Sequence, residues 1–139
     1  MSSLATKGLV KRFGRTTVVD NVDVAVSGGE IVGLLGPNGA GKTTCFYMIC
    51  GLIRRDNGHI VLDGNDISDL PMHERARRGI GYLPQEASIF KRLTVKENIL
   101  AVLEALPGLD QNGRQARAME MMETFGIAHK SKDYGYSLS

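Results

Sequence analysis

Val22, Val24 and Val26 alternate with polar residues, the period-two pattern of a strand with one face buried, and Leu4 to Val10 is a looser extended stretch. Half-buried antiparallel strands are therefore predicted at the N-terminus. Ser27-Gly28-Gly29-Glu30 predicts a turn, and Ile31-Val32-Gly33-Leu34-Leu35 after it is an unbroken apolar run, the mark of a strand buried on both faces. A helix is predicted from Lys42 to about Cys50, stopped by Gly51. Asn57-Gly58 then marks a turn before a strand from His59 to Leu62. Pro71 is placed to open a helix that Gly79 ends, leading into a strand from Ile80 to Leu83. This alternation predicts an α/β core.

After Gln85 the pattern turns helical. Thr94-Val95-Lys96-Glu97 reads as a capping box in front of Ile99, Leu100, Val102, Leu103 and Leu106, and Pro107-Gly108 breaks that helix. A second helix is predicted from about Asn112 to Phe125, with Met119, Met122 and Phe125 packing one face into a core and Gly126 as its stop. The predicted organisation is an α/β part over 1–86 and a helical part over 87–139. No internal repeat or low-complexity tract interrupts it.

A length of 139 residues suits one compact unit or a piece of a larger one. Seventeen Lys and Arg against 15 Asp and Glu leave a formal charge of +2, and 42% of residues are hydrophobic, which excludes wholesale disorder and a basic nucleic-acid tail. No nucleic-acid partner is expected. Cys45 and Cys50 match neither redox nor zinc spacing and read as small buried hydrophobes of a reducing cytoplasm. The apolar stretch from Cys45 to Ile53 is too short for a membrane span of about 20 residues, and Met1-Ser2-Ser3-Leu4 has no signal-peptide pattern. A cytoplasmic chain is expected, with any membrane role coming through a partner. His59, His73 and His129 form no metal or catalytic-triad spacing.

The 17 glycines stand out against an average usage of about 7%, and the run after Leu35 gives part of the reason. Gly36-Pro37-Asn38-Gly39-Ala40-Gly41-Lys42-Thr43 fits G-x-x-x-x-G-K-[ST], between an expected strand and an expected helix, which is the context a phosphate loop requires. Glycines let backbone N–H groups converge on a phosphate, and the helix dipole adds partial positive charge. Lys42 can reach the β and γ oxygens, and Thr43 can place its hydroxyl on Mg²⁺.

Three further features resemble one family, the ABC ATPases. Phe13 lies upstream of the loop where those proteins carry an aromatic that stacks on adenine. Gly81-Tyr82-Leu83-Pro84-Gln85 is similar to the family's Q-loop, whose glutamine meets Mg²⁺ and the attacking water. Ser137-Leu138-Ser139 is similar to the start of the LSGGQ signature. The resemblance implies a P-loop NTPase core with an N-terminal antiparallel β part and the beginning of a helical subdomain. It implies ATP/ADP and Mg²⁺ as cofactors, nucleotide binding by Phe13 and by Gly36 through Thr44, metal binding by Thr43 and Gln85, and catalytic roles for Lys42 and Gln85.

Two stretches, GLLGPNGAGKTTCFYMICG and HERARRGIGYLPQEASIFKRLTVKENI, are similar to the branch of the family that drives lipopolysaccharide export. Branched-chain amino acid transporters and soluble ABC proteins stay open as alternatives. The resemblance further implies a homodimer in full-length form, and an integral-membrane permease met by the segment after the Q-loop, including Phe90 and Arg92. That would place the chain on the cytoplasmic face of the inner membrane. Cys45 stands where relatives often carry threonine. The Walker B aspartate, catalytic glutamate and switch histidine of such enzymes are not among these 139 residues, and Glu86 is a poor substitute base. Nucleotide binding without turnover is expected of them alone.

Overall fold

In a computed structural model that describes residues 2–138, β1 (Ser3–Phe13) and β2 (Thr16–Ser27) pair antiparallel. β3 (Asn57–Leu62) lies antiparallel on the other side of β1, and the short β4 (Asn65–Asp66) completes a sheet of order β2-β1-β3-β4. Val22, Val24 and Val26 are half-buried, as their alternation predicts, and Leu9, Val19 and Ile60 are buried on one face of the sheet. There they meet Cys45, Met48 and Ile49 of α1 (Lys42–Cys50), with Ile67 closing the same core. α2 (Met72–Arg77) starts after Pro71, whose φ of −68° suits a helix start, and its Arg75 is buried.

Two expected strands do not form. Ile31 to Leu35 and Ile80 to Leu83 are not in any ladder, and Ile31, Leu35 and Leu83 are 98%, 93% and 93% exposed. A strand buried on both faces needs hydrogen-bonding neighbours in its own sheet. The described strands form only the antiparallel sheet, so neither run finds a neighbour there. Leu34 and Ile80 alone turn inward from the two runs and pack against the core. Between β2 and the first run lies a cavity of about 360 Å³, lined in part by Val18, Val22, Leu34 and Leu35.

The chain divides into two compact units, Met1–Tyr82 and Leu83–Ser139. In the second, α3 (Val95–Glu104) packs against α4 (Gln111–Thr124), burying Val95, Leu103, Ala118 and Met122. The capping box is formed: Glu97 donates its N–H to Thr94 Oγ1, and the Glu97 carboxylate accepts the N–H of Thr94. Asp110 caps α4 by accepting the N–H of Gly113 at 2.7 Å. The expected Met119, Met122 and Phe125 face is only one-third correct. The row that faces inward is Ala118 and Met122, four residues apart, whereas Met119 is 42% and Phe125 70% exposed. Phe125 sits at the C-cap, where the backbone has already left helical geometry.

Candidate functional site

The loop Gly36 to Gly41 enters α1 through two glycines in the left-handed region, Gly39 at φ 83° and Gly41 at φ 86°. Gly41 is required twice over, because a β-carbon there would overlap the carbonyl oxygen of Val18 in β2. α1 itself begins with no side-chain cap and no acidic residue in its first turn. Its unpaired N–H groups and the positive end of its dipole are thus left for an anion. They border a cavity of about 190 Å³ lined by Val18 and the residues from Pro37 to Thr44. A cradle of N–H donors, a lysine, two threonines and no carboxylate fits a phosphate chain and repels nothing in it.

Lys42 Nζ is folded over this loop, donating to the carbonyl oxygens of Gly36 and, at 3.1 Å, of Pro37. Those bonds hold the ammonium at the rim of the cradle, where a bound anion can take it over. Thr43 is exposed and Thr44 half-buried at the start of α1. Among the described residues, no group of three or more His, Cys, Asp or Glu could hold a metal ion.

Phe13, at the end of β1, is 52% exposed, so it is not a core residue. Lys11 Nζ lies 5.5 Å from its ring centroid and is itself paired with Asp56 at 3.1 Å. Asp56 also accepts the N–H of Arg12 at 2.6 Å. That backbone bond, then Lys11, hold the Asp56 carboxyl below its ordinary range. Phe13 thus stands at a strand end anchored to the turn before β3, with a cation by its ring.

Gln85 and Glu86 belong to the second unit, in an exposed bend. Phe90 is 63% exposed and Arg92 is exposed. Ser137 and Leu138 end the described chain, with Ser137 Oγ donating to the carbonyl of Tyr134 at 2.7 Å; Ser139 lies outside the described residues. Cys45 and Cys50 are buried free thiols, and burial pushes both up from the ordinary thiol range, which makes them inert. His59 Nδ1 lies 2.6 Å from Asp66 Oδ2, while His73 and His129 are exposed.

Sequence reading missed three residues: Arg75, Asn98 and Gly135. Arg75 donates to the carbonyls of Met48 and Ile49 at 2.7 and 2.8 Å, and so satisfies the last turn of the helix that opens at the cradle. The only signal for it was an arginine in the charged run Glu74-Arg75-Ala76-Arg77-Arg78, which reads as surface charge. Asn98 and Gly135 had no signal beyond lying near the capping box and the final segment.

A glycine-rich loop that opens a helix, beside an antiparallel sheet and ahead of a helical unit, defines a nucleotide-binding α/β protein of the P-loop class. Residues 19–139 match the ABC transporter family, and the chain belongs to it. It is 57% identical over 139 residues to the lipopolysaccharide export system ATP-binding protein LptB of Haemophilus influenzae, and 55% identical to that of Escherichia coli K12. Each alignment covers all of this chain and 58% of the relative. The fold is similar to the ADP conformation of MJ1267, an ATP-binding cassette of an ABC transporter. There the TM-score is 0.82 at 27% identity, over 100% of this chain and 59% of that one. The chain is thus an α/β ABC ATPase core with its antiparallel β part and the beginning of the helical subdomain.

Proposed function

We propose that this chain forms the nucleotide-binding part of an ATPase subunit that drives lipopolysaccharide export through a membrane permease. The observation that carries the reading is the uncapped start of α1 behind Gly41, bordered by Lys42 and Thr43 and free of carboxylates. Phosphates of ATP or ADP lie in that cradle, Lys42 swings from its own loop carbonyls to the β and γ oxygens, and Phe13 stacks on the base. Thr43 would hold Mg²⁺, which would screen the phosphate charge when bound, and the resemblance to ABC ATPases also gives Gln85 a metal contact. Gln85 also orients the attacking water.

The cargo follows from the relatives at 55–57% identity, whose names carry lipopolysaccharide export; nothing comparable favours a branched-chain amino acid cargo or a soluble ABC role. In the whole protein two copies form a dimer in which the signature opened by Ser137-Leu138-Ser139 completes the partner copy's site. Phe90 and Arg92 meet the permease on the cytoplasmic side of the inner membrane.

The test is Lys42→Ala. Losing one charge-assisted contact of about 1.5 to 3 kcal/mol weakens ATP binding tenfold or more by calorimetry. An unchanged affinity in a folded variant would falsify the phosphate-loop assignment.

A further inference from the structure

In the second unit, the segment that carries the exposed Phe90 is held from two sides. From α3, the Asn98 side chain accepts the N–H of Phe90 at 2.8 Å and donates to the carbonyls of Phe90 and Thr94, each at 3.0 Å, and of Leu93 at 3.3 Å. From the other side comes the stretch that leads to Ser137 and Leu138. Gly135 donates its N–H to Leu93 O at 2.8 Å, and Tyr136 donates to Lys91 O at 3.0 Å. Thr94 and Tyr134 form an antiparallel bridge just beside these bonds.

The fit leaves no room for a side chain. Gly135 is buried, and a β-carbon there would stand 2.9 Å from the Phe90 carbonyl oxygen, 3.1 Å from Lys91 Cα and 3.3 Å from the Ile89 side chain. Two of those neighbours are backbone, which cannot rotate away. The glycine is therefore needed for close approach, since its φ is not in the left-handed region.

Hydrogen-bonded backbone clamped on both sides moves as one body, because sliding either segment breaks several hydrogen bonds at once. We propose that Asn98 and Gly135 are positioning residues that lock the Phe90 segment to the residues opening the signature, so that a load on Phe90 reaches Ser137 and Leu138 without loss. This rests on the reading of Phe90 as a permease contact and of Ser137-Leu138 as the start of the signature. Neither Asn98 nor Gly135 touches nucleotide or permease in that reading; they act through the segments they join.

The experiment uses the full-length protein with its permease in membranes. Asn98→Ala and Gly135→Ala are expected to keep ATP affinity and permease copurification while the permease-dependent stimulation of ATP turnover falls about fivefold or more, the scale of a lost coupling between sites. Hydrogen exchange gives a second readout. In Asn98→Ala, which leaves the sequence of the final segment untouched, the amides of Gly135 and Tyr136 exchange about tenfold faster. Full stimulation in a folded Gly135→Ala, or unaltered exchange at both amides in Asn98→Ala, overturns the proposal. If Gly135→Ala does not fold, Asn98→Asp, which keeps the acceptor for Phe90 but loses the donors, shows the same loss of stimulation, and normal stimulation in it counts against the lock. Failure of the docking reading shows separately, as unchanged copurification of Phe90→Ala.

Discussion

Arg75 is 4% exposed, and its guanidinium donates to four backbone carbonyls: Met48, Ile49, Ser68 and Leu70. Burial lowers its pKa, but an arginine so well supplied with acceptors stays charged. Met48 O also accepts the Gly51 N–H and Ser68 O also accepts from Arg55, so Arg75→Met would leave the Ile49 and Leu70 carbonyls without a donor, each costing about 1 to 3 kcal/mol, and urea unfolding should show a loss of about 2 kcal/mol or more. Arg75→Lys should recover only part of it, because an ammonium cannot span the same fork of carbonyls. Phe13→Ala belongs to the other extreme. Its ring is half exposed, so stability should hardly change, while ATP and GTP affinity should both fall by about 1 kcal/mol of lost stacking. A collapse of the fold would instead make Phe13 structural.

At the scale of elements, the turns and caps are tied down by carboxylates that are unusually acidic. Asp66 lies well below the ordinary carboxylate range, through Ser68 first and His59 after it. Asp69 is lowered by Arg55, Asp56 by the Arg12 N–H and Lys11, and Glu97 by Thr94. A carboxylate with a depressed folded-state pKa stabilises the fold above its unfolded value, and that stability is lost as pH falls through the folded value. With unfolded Asp near 3.9, the unfolding midpoint should drop as pH goes below about 4 and stay level above about 5. Asp66→Asn should make the acid limb shallower, and an identical limb in that variant would remove Asp66 from the account. The capping box of α3 is a separate element-scale term: Thr94→Ala should cost about 1 kcal/mol in the same measurement.

For the whole molecule, the exposure of Phe90 separates docking from packing. A buried aromatic truncated to alanine costs about 3 to 5 kcal/mol. Phe90 is 63% exposed, so Phe90→Ala should leave thermal stability nearly unchanged and, in the full-length protein, weaken copurification with the permease, with Arg92→Ala milder. The 139 residues by themselves should bind nucleotide yet release phosphate only at background. Release well above background, abolished by Lys42→Ala, would reveal a general base that the reading of these residues has overlooked.

Local pattern alone determined the elements whose signals are local. The period-two alternation of β2, the glycine-lysine-threonine start of α1 and the capping box of α3 depend on side chains within a few residues of one another, and all stand where they were read, whereas Asn57 and Gly58, expected as a turn, already belong to β3, where Asn57 pairs with Val10 of β1. The phosphate loop belongs with them, since its chemistry lies in eight consecutive residues. Tertiary structure decided what depends on a distant neighbour. Ile31 to Leu35 and Ile80 to Leu83 have strand composition, but a ladder needs a second chain segment, and none of the described strands supplies it. The inward row of α4 shifted from Met119 to Ala118 because the surface of α3 chooses the face. Arg75, Asn98 and Gly135 were invisible for the same reason: a carbonyl to cap, a loop to clamp and a backbone to touch exist only once the chain has folded back on itself.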